Sequence, residues 1–122
     1  MARILVVESQ PKVRLLLRIL LEEEGHEVIA TSNGYNAVEL FAKKPANIVI
    51  CNLLNPSRNG LQTTEEIKTI NPSTPAVILS GSDTIYEANY LQAAHKIKVQ
   101  ATLAKPFDII NLRKWVKSLL SE

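Results

Sequence analysis

The chain has 122 residues, 46% of them hydrophobic, and carries 14 Lys+Arg against 12 Asp+Glu for a formal net charge of +2. That length supports one core rather than two; the apolar fraction excludes a disordered chain, and one cysteine, Cys51, excludes a disulfide scaffold and points to a reducing, cytoplasmic setting. The charge is too slight and too scattered to predict nucleic-acid binding. No apolar run reaches the roughly 18 to 20 residues of a membrane span: the longest, Leu15 to Leu21, is interrupted by Arg18. Met1-Ala2-Arg3 leads straight into Ile-Leu-Val-Val, so neither a signal peptide nor a transit segment is expected.

In chain order, Arg3 to Val7 reads as an almost wholly apolar strand, and Pro11 opens a helix whose apolar positions are Val13, Leu16, Leu17 and Leu20. Gly25 closes that helix, Glu27 to Ala30 forms a second strand, and Ser32-Asn33-Gly34 is a turn or cap before a helix with Ala37, Leu40 and Phe41 on its apolar side. Asn47 to Cys51 is a continuous apolar strand followed by turn-prone Asn52, Asn55, Pro56 and Asn59-Gly60, then a helix from about Leu61 to Ile70. Pro75 to Leu79 is a strand stopped by Ser80-Gly81, with a helix from about Asp83 to Ala94. Gln100 to Ala104 is a weaker strand, and Pro106 opens a last helix through Leu112, Val116, Leu119 and Leu120.

Five strands alternating with five helices predict one α/β domain over residues 1 to 122, a flavodoxin-like (βα)5 three-layer sandwich around a parallel sheet of order 2-1-3-4-5. In such sheets ligands bind beyond the carboxyl ends of the strands, where strand order reverses. The residues at those ends are Glu8-Ser9, Asn52, Ser80 and Lys105, so a carboxylate, hydroxyls, a carboxamide and an ammonium converge on one rim. Of the twelve acids ten are Glu and only Asp83 and Asp108 are Asp, while Asn occurs nine times. Both Asp residues read as acids at helix N-termini.

Four stretches, in this order and on the expected strand ends, carry a resemblance. They are Ile4 to Pro11, Asn47 to Pro56 with Asn59-Gly60, Pro75 to Gly81, and Lys105-Pro106-Phe107. Over its whole length the sequence resembles a receiver domain of bacterial two-component response regulators, the CheY-like family. The resemblance implies a site in which an acidic pair after the first strand and an Asp ending the third hold Mg²⁺. That Asp takes a phosphoryl group from a kinase phosphohistidine, and a Ser or Thr and a Lys then bind it. Here Ser80 and Lys105 match and Glu8 keeps one acid, but Ser9 replaces the second and Asn52 stands at the acceptor position. A neutral amide oxygen does not form a stable acyl phosphate there, and losing two carboxylates of three should weaken or abolish Mg²⁺ binding. Thr102 occupies the position of the family's usual aromatic switch residue, and Lys98-Val99 that of its usual Gly-Ala pair.

The resulting expectation is a degenerate receiver, a pseudo-receiver: not an enzyme, without a metal or cofactor, independent of phosphorylation, and acting in two-component phosphorelay signalling by protein interaction or self-association. The resemblance points to a face of helix 4, strand 5 and helix 5, where Tyr86, Tyr90 and Trp115 fall, with no contact to nucleic acid or membrane. In the pocket, Lys105 is expected to pair with Glu8 or hydrogen-bond Asn52. Plainer readings stand beside these. Glu8 also suits a helix start, Ser80 a turn and Lys105 a surface lysine. Cys51 suits the core, Trp115 helix packing, and His26 and His95 the surface. Two alternatives remain: a working phosphoacceptor receiver in which Asn52 is engineered or unusual, and a flavodoxin-like FMN binder. The FMN reading is disfavoured because Glu8-Ser9-Gln10-Pro11-Lys12 has no glycine to cradle a phosphate.

Overall fold

A computed structural model describes residues 2–53, 58–81, 92–105 and 107–121. The strands are β1 (Arg3–Val7), β2 (Glu27–Thr31), β3 (Ile48–Asn52), β4 (Ala76–Ser80) and β5 (Ala101–Ala104). All pair in parallel, in the order β2-β1-β3-β4-β5. The helices are α1 (Pro11–Glu23), α2 (Gly34–Lys43), α3 (Gly60–Ile70), α4 (helical over 92–96) and α5 (Ile109–Leu120). This is the flavodoxin-like sheet order expected from the sequence. Among the described residues no helix is long and apolar enough to cross a membrane.

Strand alternation splits the core into two layers. Ile4, Val6, Ile48, Ile50, Val77 and Leu79 face one side and pack with Leu17 and Leu21 of α1 and Leu112, Val116 and Leu119 of α5. Leu5, Val7, Val49, Cys51 and Ile78 face the other, against Ala37 and Phe41 of α2, Leu61 and Ile67 of α3 and Ala94 of α4. β3 and β4 are buried at every position, as central strands covered on both faces must be.

Local chemistry sets the helix ends. Asn33 accepts from the Tyr35 and Asn36 amides, Asn59 from Gln62 and Asp108 from Ile110, so part of the abundant Asn serves as N-caps. Gly25, at φ 88°, takes the left-handed turn that ends α1.

Three expectations are corrected. The buried stripe of α1 is Leu17 and Leu21 with half-buried Val13, spaced by four, and Leu16 lies outside at 42% exposure. This helix is apolar on two sides, and periodicity alone does not choose between them. α3 begins at Gly60, directly after its Asn59 cap, rather than at Leu61. The last helix starts at Ile109, because Asp108 is its cap and Phe107 precedes it in non-helical backbone; Pro106 itself is outside the described residues. Asn55, Pro56, Asp83, Tyr86 and Tyr90 also lie outside them, as does most of the expected helix from Asp83 to Ala94.

Candidate functional site

The parallel register delivers the rim. Val7 lies beside Cys51, so one residue further on Glu8 stands beside Asn52, the last residue of β3. Asn52 neighbours Leu79, and Ser80 neighbours Ala104, which sets Lys105 just past the end of β5. Backbone bonds extend the sheet past its formal ends. The Glu8 amide donates to the Thr31 carbonyl at 3.0 Å, Leu53 to Leu79 at 2.8 Å, and Lys105 to Ser80 at 2.6 Å.

Glu8 is the hub. Its side chain is fully buried, and burying a carboxylate requires compensating charge and donors. The Lys105 ammonium supplies the charge through an ion pair with Oε1. Oε2 accepts from Asn52 Nδ2 at 3.2 Å and from the Gln10 amide at 3.1 Å. The loop between β1 and α1 therefore winds around its own carboxylate, with Ser9 half-buried in it. Arg14 fastens the loop from outside, donating to the Glu8 carbonyl at 2.9 Å and the Ser9 carbonyl at 3.3 Å.

Asn52 and Ser80 are buried, at 6% and 4% exposure. The Lys105 side chain keeps 16% of its surface, so its stem runs through the rim while part of it still meets solvent. Gly60 allows the start of α3 to lie against the end of β3. A Cβ at that position would come within 2.5 Å of the Asn52 carbonyl oxygen, closer than van der Waals contact permits. Beneath the rim, burial, reinforced by the Glu8 charge, pushes the Cys51 thiol up to about 12, so it is a protonated core group at neutral pH.

The structure thus brings Glu8, Asn52 and Lys105 into one cluster, with Ser9 and Ser80 at the same strand ends. Thr102 is not part of it. It pairs with Ile78, two residues before Ser80, and points outward on β5, where buried and exposed residues alternate. With half-buried Trp115 and with His95, Val99, Gln100 and Ala101 it lines a surface depression of about 330 Å³. His26 lies at the opposite end of the sheet, accepting from the Ala2 amide.

The sequence reading missed Gln10 and Arg14. Gln10 acts through its backbone, which leaves no side-chain signal. For Arg14 there was one: a cation in the first turn of a helix runs against the helix dipole and needs a local reason. Among the described residues the cluster is one carboxylate balanced by one ammonium, with neutral Ser9, Asn52 and Ser80 around them. Among the described residues no group of three or more His, Cys, Asp or Glu side chains is placed to hold a metal ion.

A parallel 2-1-3-4-5 sheet with these residues at its carboxyl edge defines the flavodoxin-like class of α/β domains. Residues 4–117 match the family model of the response regulator receiver domain, and the chain belongs to that family. It is 26% identical to sporulation initiation phosphotransferase F of Bacillus subtilis, over 97% of this chain and 93% of that protein. It is 28% identical to protein PilH of Pseudomonas aeruginosa, over 99% of both. Against the transcriptional regulatory protein ZraR of Klebsiella oxytoca the identity is 36% over 97% of this chain, which spans only 26% of that relative. In structure it is similar to a response regulator receiver domain protein from Clostridium thermocellum, with a TM-score of 0.90 at 24% identity over 99% of this chain and 95% of the other. With the family shown, the FMN-binding alternative is set aside.

Proposed function

We propose that this receiver domain works without phosphoryl transfer, as a cytoplasmic interaction module of two-component signalling that catalyses no reaction of its own. The observation that carries the reading is the cluster of Glu8, Asn52 and Lys105 at the rim. The acceptor position holds a carboxamide, whose nitrogen donates to Glu8, and an amide offers phosphorus no anionic nucleophile.

The donor set also does not suit the Mg²⁺ the family implies. Magnesium takes hard anionic oxygens in near-octahedral geometry. Here the one carboxylate already accepts from Lys105, Asn52 and Gln10, and Ser9 contributes only a hydroxyl. Lys105 supplies the positive charge that a cation would otherwise bring, so the cluster imitates some contacts of a loaded pocket with side chains alone.

The surface proposed for docking is that of α4, β5 and α5, where Trp115 and Thr102 border the depression described above. Its partner is a protein or a second copy rather than nucleic acid or membrane. Trp115 supplies a large amphipathic contact of the kind protein interfaces favour.

Incubation with a small-molecule phosphodonor and Mg²⁺, read by intact mass, tests the reading. The expected result is no added phosphate; a stoichiometric adduct would establish a working acceptor and overturn it. Asn52→Asp alone should restore little phosphorylation, because Ser9 leaves a cation under-ligated, whereas Ser9→Asp with Asn52→Asp should recover more. Equal modification of both variants would show the metal argument to be wrong.

A further inference from the structure

The outer side of α1 has no counterpart in the core. Leu15, Leu16 and Ile19 are 57%, 42% and 46% exposed, turned away from the buried stripe of Leu17 and Leu21. Within this outer surface Lys12, Leu16, Ile19 and Glu23 recur at i, i+4, i+7 and i+11, the spacing of a coiled-coil seam. Lys12 is exposed, and Glu23 is 62% exposed.

The order of charge along the helix is unusual. α1 has no acid in its first turn and no base in its last, but opens with Lys12 and Arg14 and ends with Glu22, Glu23 and Glu24. This runs against the helix dipole at both ends, so the helix gains nothing from it alone. Arg113 of α5 offsets part of the acidic end, at 3.4 Å from Glu23 and 3.2 Å from Glu24, and Arg18 pairs with Glu22 at 3.4 Å.

A helix that is basic at one end, apolar in the middle and acidic at the other complements an antiparallel copy of itself. Turned about a two-fold axis between residues 17 and 18, Lys12 faces Glu23 of the second copy and Leu16 faces its Ile19. A parallel pairing would instead set Lys12 against Lys12 and Glu23 against Glu23. We infer that α1 is an isologous, antiparallel self-association surface, through which two copies of this chain pair. The inference does not depend on how the rim is read, and it uses a different element from the α4, β5 and α5 surface.

The seam is about three turns long and buries less than the roughly 1,200 Å² of a standard stable interface, so the dimer is weak, with a dissociation constant of order 10⁻⁴ M. Sedimentation equilibrium on the whole chain from about 10 μM to 1 mM should show reversible dimerisation. Lys12→Glu and Glu23→Lys should each weaken it about tenfold by placing like charges opposite one another, and the double variant should return it to within about threefold of the original. Leu16→Ser, which leaves every charge in place, should also weaken it, while Glu39→Ala, at an exposed position of α2, should leave it unchanged. Melting curves of the variants, all altered at exposed positions of α1 or α2, check that each remains folded. A single monomeric species throughout the range, a double variant as weak as either single one, or unchanged association in Leu16→Ser would each overturn the inference.

Discussion

Glu8 shows what one buried charge demands of its neighbours. Its carboxylate lies in the rim because Lys105, Asn52 and Gln10 together replace the water it gives up. Lys105→Met would remove the cation and leave the acid enclosed. A loss of about 2 to 4 kcal/mol of unfolding free energy is expected in urea titration, less than for a wholly enclosed pair because Lys105 keeps some solvent contact. Adding Glu8→Gln to Lys105→Met should recover most of that loss, since the charge that needed a partner is then gone. Cys51 responds differently: at about 12 its thiol is protonated and packed against β4 and α3. A neutral-pH alkylating reagent should leave it unmodified in the folded protein and label it fully in denaturant, as read by mass.

At the scale of elements, backbone conformation separates two helix ends. Gly25 adopts its left-handed φ of 88° without penalty, whereas Lys98, just after α4, holds φ 63° with a side chain attached. Lys98 also crowds a neighbouring cation: burial chiefly, and then the Lys98 charge, lower the Lys68 pKa. Lys98→Gly, where the family usually carries glycine, should therefore stabilise the fold by about 0.5 to 1 kcal/mol, and Gly25→Ala should destabilise it by about 1 kcal/mol; chemical denaturation measures both. Most elements were legible in the sequence because pattern and punctuation agree, as in β3 with its unbroken apolar run between Asn47 and Asn52. The inward side of α1 was not. Leu15, Leu16 and Ile19 make its outer surface as apolar as its inner one, and only the sheet decides which side is covered. The rim residues could be placed from strand ends alone. So could the pairing of Lys105, expected with Glu8 or Asn52 and found with Glu8; the Gln10 amide could not, because a backbone donor leaves no side-chain signal.

For the molecule as a whole, acid stability is set partly at the opposite edge of the sheet. Glu27 opens β2 and joins Arg3 of β1 at 3.3 Å and Lys44, after α2, at 3.4 Å. The Arg3 guanidinium beside it is the main cause that holds the Glu27 carboxyl below its ordinary 4.5, with the Lys44 ammonium adding to it. A carboxyl lowered in the folded state stabilises the fold fully above its unfolded value and loses that contribution as pH falls through the lowered one. Melting temperature should therefore fall on acidification below about pH 4.5, and Glu27→Gln should make that acid limb shallower while leaving the curve above about pH 6 with little slope. An unchanged acid limb in the variant would show that this contact carries no linkage.

The tie between Glu8 and Lys105 joins the outgoing ends of the first and fifth strands, with Asn52 adding the third, using side chains that are always present. On the reading proposed above, a rim assembled from resident groups would need no visiting ion or chemical tag to reach its final shape. If nothing arrives and nothing departs, what such a domain can report is how many copies of it exist. Under that reading control would pass to synthesis and proteolysis, with the amount of protein carrying the signal.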